Sequence, residues 1–237
     1  MKSLKEILAP TIVGAAFDLP FTDRLCAGGC GKIVRGPAAT WCTPCGDASR
    51  AADQLKSDRV EIVPALESIP AGWRWATCED IPLLERRVPR STGIVEDALL
   101  RIPWQHGVTI RGPAGAGKTS LAAALFRAWV THPGIHLFDR RTSRFILASR
   151  LSRYHPSEFD EATRAGCVLL DNVGCEGDMP SSRTPVADLL TERHAWERTT
   201  IVTTFHDQAS IAGRYGDDIA RRLFENTLVI DLGGARK

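Results

Sequence analysis

The sequence predicts an α/β fold: a five-stranded parallel sheet with helices on its faces, behind a small cysteine-bearing N-terminal module. Three observations predict it. Beyond residue 65, short apolar runs alternate with helical patterns, the βαβ rhythm of a parallel sheet. A glycine-rich loop stands between the first such run and the helix that follows. Ahead of them lies a Gly-rich segment with little periodicity, into which four of the seven cysteines are crowded. At roughly 150 residues per domain, 237 residues hold one full domain and a smaller module. The expected layout is an N-terminal module over 1–64, a linker and lead-in over 65–98 and a core over 99–237. The prolines between 64 and 89 mark the linker.

The core reads in order as strand, loop, helix, repeated. Residues 108–111 form a short strand running into Gly112, and 118–130 an Ala/Leu-rich helix. A second strand is expected at 135–138, followed by a basic helix over about 143–154. Residues 167–170 are wholly apolar, the pattern of a strand buried on both faces. The next helix is expected over 185–196, with Pro185 near its first turn and Val186, Leu189, Leu190 and His194 on one face. Strands at 201–204 and 228–230 complete the five. Such a sheet binds ligands at its carboxyl edge.

Composition narrows the classes. The chain is 43% hydrophobic and 24% charged, which excludes a collagen-like or wholly disordered polypeptide. Thirty basic residues face 28 acidic ones, a net charge of +2, so any nucleic-acid surface is a local patch. No apolar run approaches the roughly 18 residues needed to span a bilayer. Glu6 and Pro10 break the N-terminal resemblance to an export signal. An odd cysteine count argues for a reducing compartment, and a cytoplasmic location is expected.

Gly112-Pro113-Ala114-Gly115-Ala116-Gly117-Lys118-Thr119 matches G-x-x-x-x-G-K-[ST] between a strand and a helix, the context its mechanism requires. Glycines let the backbone N–H groups of the loop turn inward around an anion, and the helix that starts through Ser120 adds its dipole. Lys118 is placed to reach the β- and γ-phosphates, and the Thr119 hydroxyl to bind Mg²⁺. Downstream, four apolar residues deliver Asp171 to the sheet edge, where a carboxylate can hold the same Mg²⁺. Together the two motifs predict binding of MgATP or MgGTP. The next residue is Asn172, where many such enzymes carry the Glu that orients or deprotonates water. An amide holds a water without accepting its proton, so hydrolysis is expected to be slow unless Glu176 or another acid substitutes.

These residues resemble the AAA+ ATPases of the DnaC-type replicative-helicase loaders and the IstB-type transposition helpers. The resemblance covers about 69–232. It begins at Ile69-Pro-Ala-Gly-Trp-Arg-Trp-Ala-Thr and runs through the phosphate loop, Leu170-Asp171-Asn172-Val173-Gly174 and Arg193-His-Ala-Trp-Glu-Arg198. It ends with Thr199-Thr-Ile-Val-Thr-Thr204 and Tyr215-Gly-Asp-Asp-Ile-Ala-Arg221-Arg222-Leu223. It implies ATP as the nucleotide, a helicase or a transposase as partner, and assembly of nucleotide-bound subunits. Arg222, with Arg221 beside it, matches the arginine finger that enters a neighbour's site. Two departures stand out. The polar residue at the end of the fourth strand, usually Asn, is here Phe205, with Thr204 beside it to supply a hydroxyl. The chain also leaves no room for a helical lid, as in the loader branch.

Arg140, Arg141, Arg144, Arg150 and Arg153 fall in a stretch without an acid, interleaved with Phe145, Ile146, Leu147 and Leu151. On a helix this gives an apolar face and a cationic one suited to phosphates. The resemblance implies that it faces single-stranded DNA; a solvated surface helix is the other reading. Cys26-x3-Cys30-x11-Cys42-x2-Cys45 is two close pairs, each able to bring two thiolates to one metal. A structural zinc site is expected, with disulfides as the alternative, and by resemblance the module grips the helicase. His106 and His206 lack ligand spacing, and Cys78, Cys167 and Cys175 are expected to pack as small apolar residues.

Overall fold

The computed structural model describes residues 23–35, 43–88, 91–102, 104, 106–132 and 134–233. The chain divides into two compact units, 1–57 and 58–237. In the first, strands β1 (Asp23–Leu25) and β2 (Ile33–Arg35) pair antiparallel, with Leu25 opposite Ile33. Their connection is closed by the Cys26 N–H donating to the Lys32 carbonyl, and helix α1 (Thr43–Glu61) follows.

The segment read as a linker is instead part of the second unit's core. It folds as α2 (Val63–Glu67), a 3₁₀ turn (Ala71–Trp73), α3 (Ile81–Arg87) and α4 (Ser91–Leu100). Ile69, Ala76, Leu84, Val88, Val95 and Ala98 are buried with the residues of the next helix. The prolines misled because Pro64 and Pro82 stand in first turns, where no N–H is required of them. Asp80 caps α3 by accepting from the Leu83 N–H at 3.0 Å.

The central sheet contains β3 (Gly107–Arg111), β4 (Arg144–Leu147), β5 (Cys167–Val173), β6 (Thr199–Thr204) and β7 (Leu228–Asp231). All pairs are parallel, in the order β4-β5-β6-β3-β7. Between the strands run α5 (Lys118–Thr131), α6 (Leu137–Thr142), a 3₁₀ segment (Ala148–Arg153), α7 (Pro156–Arg164), α8 (Pro180–Ala195), α9 (Gln208–Tyr215) and α10 (Asp217–Phe224). Side chains alternate between two apolar cores. Phe145, Cys167, Leu169 and Ile201 meet α5 on one face; Ile146, Val168, Leu170 and Val202 meet α8 and α10 on the other. Burial on both faces explains why β5 reads as a continuous apolar run. The start of β3 lies so close to β6 that a Cβ at Gly107, which has φ +121°, would fall 1.9 Å from the Thr200 carbonyl oxygen.

Three expected elements differ. Residues 137–142 are helical, capped by His136 through the Phe138 N–H, so the strand expected at 135–138 is absent. The second strand comes later, and the basic helix expected over 143–154 is this strand followed by the 3₁₀ segment. Arg-Phe-Ile-Leu forms the sheet's edge, with Arg144 and Leu147 partly exposed and Phe145 and Ile146 buried. Helix α8 starts at Pro180, which puts Pro185 inside it rather than in its first turn.

Candidate nucleotide site

The carboxyl edge of the sheet carries the phosphate loop after β3, Asp171 near the end of β5 and Thr204 at the end of β6. Gly117 has φ +85°, and a Cβ there would fall 2.6 Å from the Val88 side chain, so glycine is required twice over. The Lys118 ammonium donates to the carbonyls of Gly112 (2.9 Å) and Pro113 (2.8 Å), bracing the loop across its mouth. Burial lowers the Lys118 pKa, and the nearby Asp171 carboxylate opposes that shift.

Asp171 is fully buried. Its Oδ1 accepts from two hydroxyls, Thr119 at 2.8 Å and Thr203 at 2.7 Å, while its Oδ2 is buried without a hydrogen-bond partner. A buried oxygen with no donor is costly unless something else meets it, and a divalent cation is the group that suits a carboxylate beside a threonine hydroxyl. The residues therefore fit Mg²⁺: Thr119 and Asp171 would hold it, and it would neutralise phosphate charge.

A cavity of about 800 Å³ opens here, lined by the loop from Pro113 to Ser120 and by Asn172, Cys175 and Phe205. That volume lies in the usual range for small-molecule sites. Its far wall is Gly72, Trp73, Trp75 and Arg87, from the segment read as a linker. The Arg87 guanidinium lies 4.8 Å from the centre of the Trp75 ring, and the Trp75 indole N–H donates to the Gly72 carbonyl. Trp75 therefore offers the cavity a ring more than a hydrogen bond. The place of the two tryptophans in the site was not legible, because prolines flank them in the sequence.

Asn172 is exposed at the cavity with φ +61°, a conformation that asparagine tolerates better than most residues. Glu176 is buried and engaged. It accepts from Arg214 at 3.1 Å, from the Gly174 N–H at 3.0 Å and from the Tyr215 hydroxyl. Arg214 also pairs with Asp178 at 2.8 Å. This group ties the loop after β5 to the end of α9, and it leaves Glu176 without a hand for water. Thr204 is likewise engaged: its hydroxyl donates to the Val173 carbonyl and accepts from the His206 N–H. The hydroxyl on β6 that meets the site belongs to Thr203. Phe205 does line the cavity, its ring centre 3.8 Å from that of His206. Cys175, expected to pack as a small apolar residue, is exposed in the cavity.

Arg222 lies at the opposite end of the strands. Its guanidinium donates to the Thr191 hydroxyl at 2.8 Å and borders a small cleft with His106, His194, Arg198 and Thr200. His106 and His194 stack there, 4.4 Å between ring centres, and burial, His106 and Arg222 together lower the His194 pKa. Arg221 is exposed and pairs with Asp218.

The five arginines expected on one cationic helix face are dispersed. Arg140 is buried. Arg141 pairs with Glu61 at 3.2 Å and lies over the Phe138 ring; Arg144 pairs with Glu161 at 3.2 Å. Only Arg150 and Arg153 share the exposed 3₁₀ segment. In the first unit, the ligand sulfurs of Cys26, Cys30 and Cys45 all lie within 4.8 Å of one another, and the Gly28 N–H donates to the Cys26 sulfur. Tetrahedral zinc–thiolate geometry sets sulfurs about 3.8 Å apart, so this cluster could hold a metal. Cys42 lies outside the described residues. Among the described residues, no helix is long and apolar enough to cross a membrane.

A glycine-rich loop entering a helix, on a five-stranded parallel sheet with β3 between β6 and β7 and the metal-suited carboxylate on β5, defines a P-loop α/β fold. Neither a family model nor a curated protein matches the chain. Among solved structures it is similar to the DnaC helicase loader, with 20% identity over 59% of this chain and 88% of that one and a TM-score of 0.49. It is also similar to DnaI, at 16% identity over 59% and 83%, TM-score 0.49. Domain III of the replication initiation protein DnaA from Thermotoga maritima shares 16% identity over 62% and 65%, again with a TM-score of 0.49.

Proposed function

We propose that this protein is a helicase-loader-like ATPase of DNA replication, binding MgATP, single-stranded DNA and a replicative helicase. The observation that carries the nucleotide reading is the convergence of Lys118, Thr119 and Asp171 on one cavity, with Asp171 Oδ2 buried and unmatched. The loader reading is supported by the motifs shared with that family from Ile69 to Leu232. Arg222 lies at the other end of the strands from its own phosphate loop, so the arginine-finger role that the resemblance implies would require a neighbouring subunit. The cysteine cluster supports a structural zinc, which would supply folding energy to a unit whose described residues contribute little apolar core.

A second reading, a nucleotide-switched adaptor with little hydrolysis, is favoured by Asn172 and by the engagement of Glu176. Turnover and MgATP binding, measured with and without single-stranded DNA for the wild type and Lys118→Ala, separate the two. The loader reading expects slow hydrolysis that Lys118→Ala abolishes together with tight binding; the adaptor reading expects binding without turnover. Equal MgATP affinity in both proteins overturns the nucleotide assignment. A pull-down against the replicative helicase and transposases then distinguishes a loader from an IstB-like transposition helper.

A further inference from the structure

The β5–β6 pairing is irregular where the site is built. Leu170 stands opposite Val202 and Val173 opposite Thr204, so Asp171 and Asn172 together face the single residue Thr203. This is the two-against-one arrangement of a β-bulge, a device that re-aims side chains beside functional sites. A bulge leaves one backbone group without its ladder partner. Here the Asn172 N–H donates to the Thr203 hydroxyl at 2.9 Å instead. The same hydroxyl donates its hydrogen to Asp171 Oδ1 at 2.7 Å. Thr203 is fully buried, and its bond to Asp171 is buried with it.

We infer that Thr203 is a positioning residue of the nucleotide site, fixing the Asp171 carboxylate and the Asn172 backbone through one hydroxyl. The inference rests on the nucleotide reading above. It puts the contribution of the fourth strand one residue earlier than its end, where Thr204 bonds to Val173 and His206 and Phe205 has no polar atom to offer. With Oδ1 held by Thr119 and Thr203, Oδ2 is the oxygen left to meet a cation. Asn172, held at φ +61°, is kept at the cavity wall. A hydroxyl is required because the role needs a donor and an acceptor in one atom; valine has the shape of threonine with neither.

The test compares Thr203→Val, Thr203→Ala and Thr203→Ser with the wild type in the full chain. ATP affinity is measured in Mg²⁺ and in EDTA, and folding is followed by circular dichroism and thermal melting. A lost hydrogen bond to a charged group predicts that the Mg²⁺-dependent gain in ATP affinity falls about tenfold in Thr203→Val. Affinity in EDTA stays near wild type, and Thr203→Ser restores the gain. Thr203→Ala, which adds no bulk, behaves like Thr203→Val and carries the test if the valine variant does not fold. A folded Thr203→Val or Thr203→Ala with the full wild-type Mg²⁺ gain overturns the inference, as does a loss equal in Mg²⁺ and EDTA. A wild type that binds no ATP in either buffer removes the nucleotide reading and this inference with it, an outcome distinct from failure of Thr203 alone.

Discussion

Arg193 is a full positive charge in the core of the second unit, with no carboxylate paired to it among the described residues. It is fully buried, and its guanidinium donates to the carbonyls of Ala162, Thr163, Ala165 and Thr199 and to the Thr200 hydroxyl, at 2.5 to 3.1 Å. Burial pushes its pKa down to about 10, still well above neutrality, so it stays charged in the core. The acceptors lie on the end of α7, the turn into β5 and the start of β6, so one side chain joins three segments through their otherwise orphaned carbonyls. Lysine keeps the charge but loses the planar fork. Arg193→Lys should therefore destabilise the folded protein by on the order of 3 kcal/mol, read as a shift in the urea midpoint. A midpoint equal to wild type would mean that the carbonyls are satisfied some other way.

At the scale of elements, the strand carrying the phosphate loop, the helix after it, β5 and β6 were legible within a few residues, because each joins an unbroken apolar pattern to a sharp turn signal. The segment from Arg140 to Arg153 was not. Its arginines suggested a helical face, but Phe145 and Ile146 are consecutive residues on opposite faces of the sheet, which is strand behaviour in only four residues. The acids that pair with Arg141 and Arg144, Glu61 and Glu161, are distant in sequence. Thr203 was hidden among the four threonines of Thr199–Thr204, although a strand buried along its whole length with four hydroxyls requires partners for each. What survives of the cationic patch is the 3₁₀ segment with Arg150 and Arg153. If the protein binds single-stranded DNA as proposed, Arg150→Glu should weaken that binding several-fold at about 50 mM salt and flatten its salt dependence, while Arg141→Glu should do less. Equal losses in the two variants would put the DNA contact elsewhere.

For the whole molecule, the two units differ in what can hold them folded. Among the described residues, the larger has two apolar cores around a sheet; the smaller has a two-stranded hairpin, most of helix α1 and a cluster of thiols. If the thiols hold zinc as proposed, a strong chelator should release close to one zinc per chain and lower the helical signal of the first unit. Cys26→Ser should do the same without chelator. Mass spectrometry of the native protein counts the metal, and an intact chain carrying none would leave the fold of the hairpin to be explained by other contacts. Polarity also operates at this scale. The cavity opens at one end of the strands and Arg222 stands at the other, so any contact that brings them together joins two unlike patches, head to tail. An open row of subunits built this way always has one cavity without an arginine at one end and one arginine without a cavity at the other. Only closure into a ring removes the deficit, so if Arg222 completes a neighbour's site as proposed, turnover per subunit should climb with the length of a row and level off once it closes.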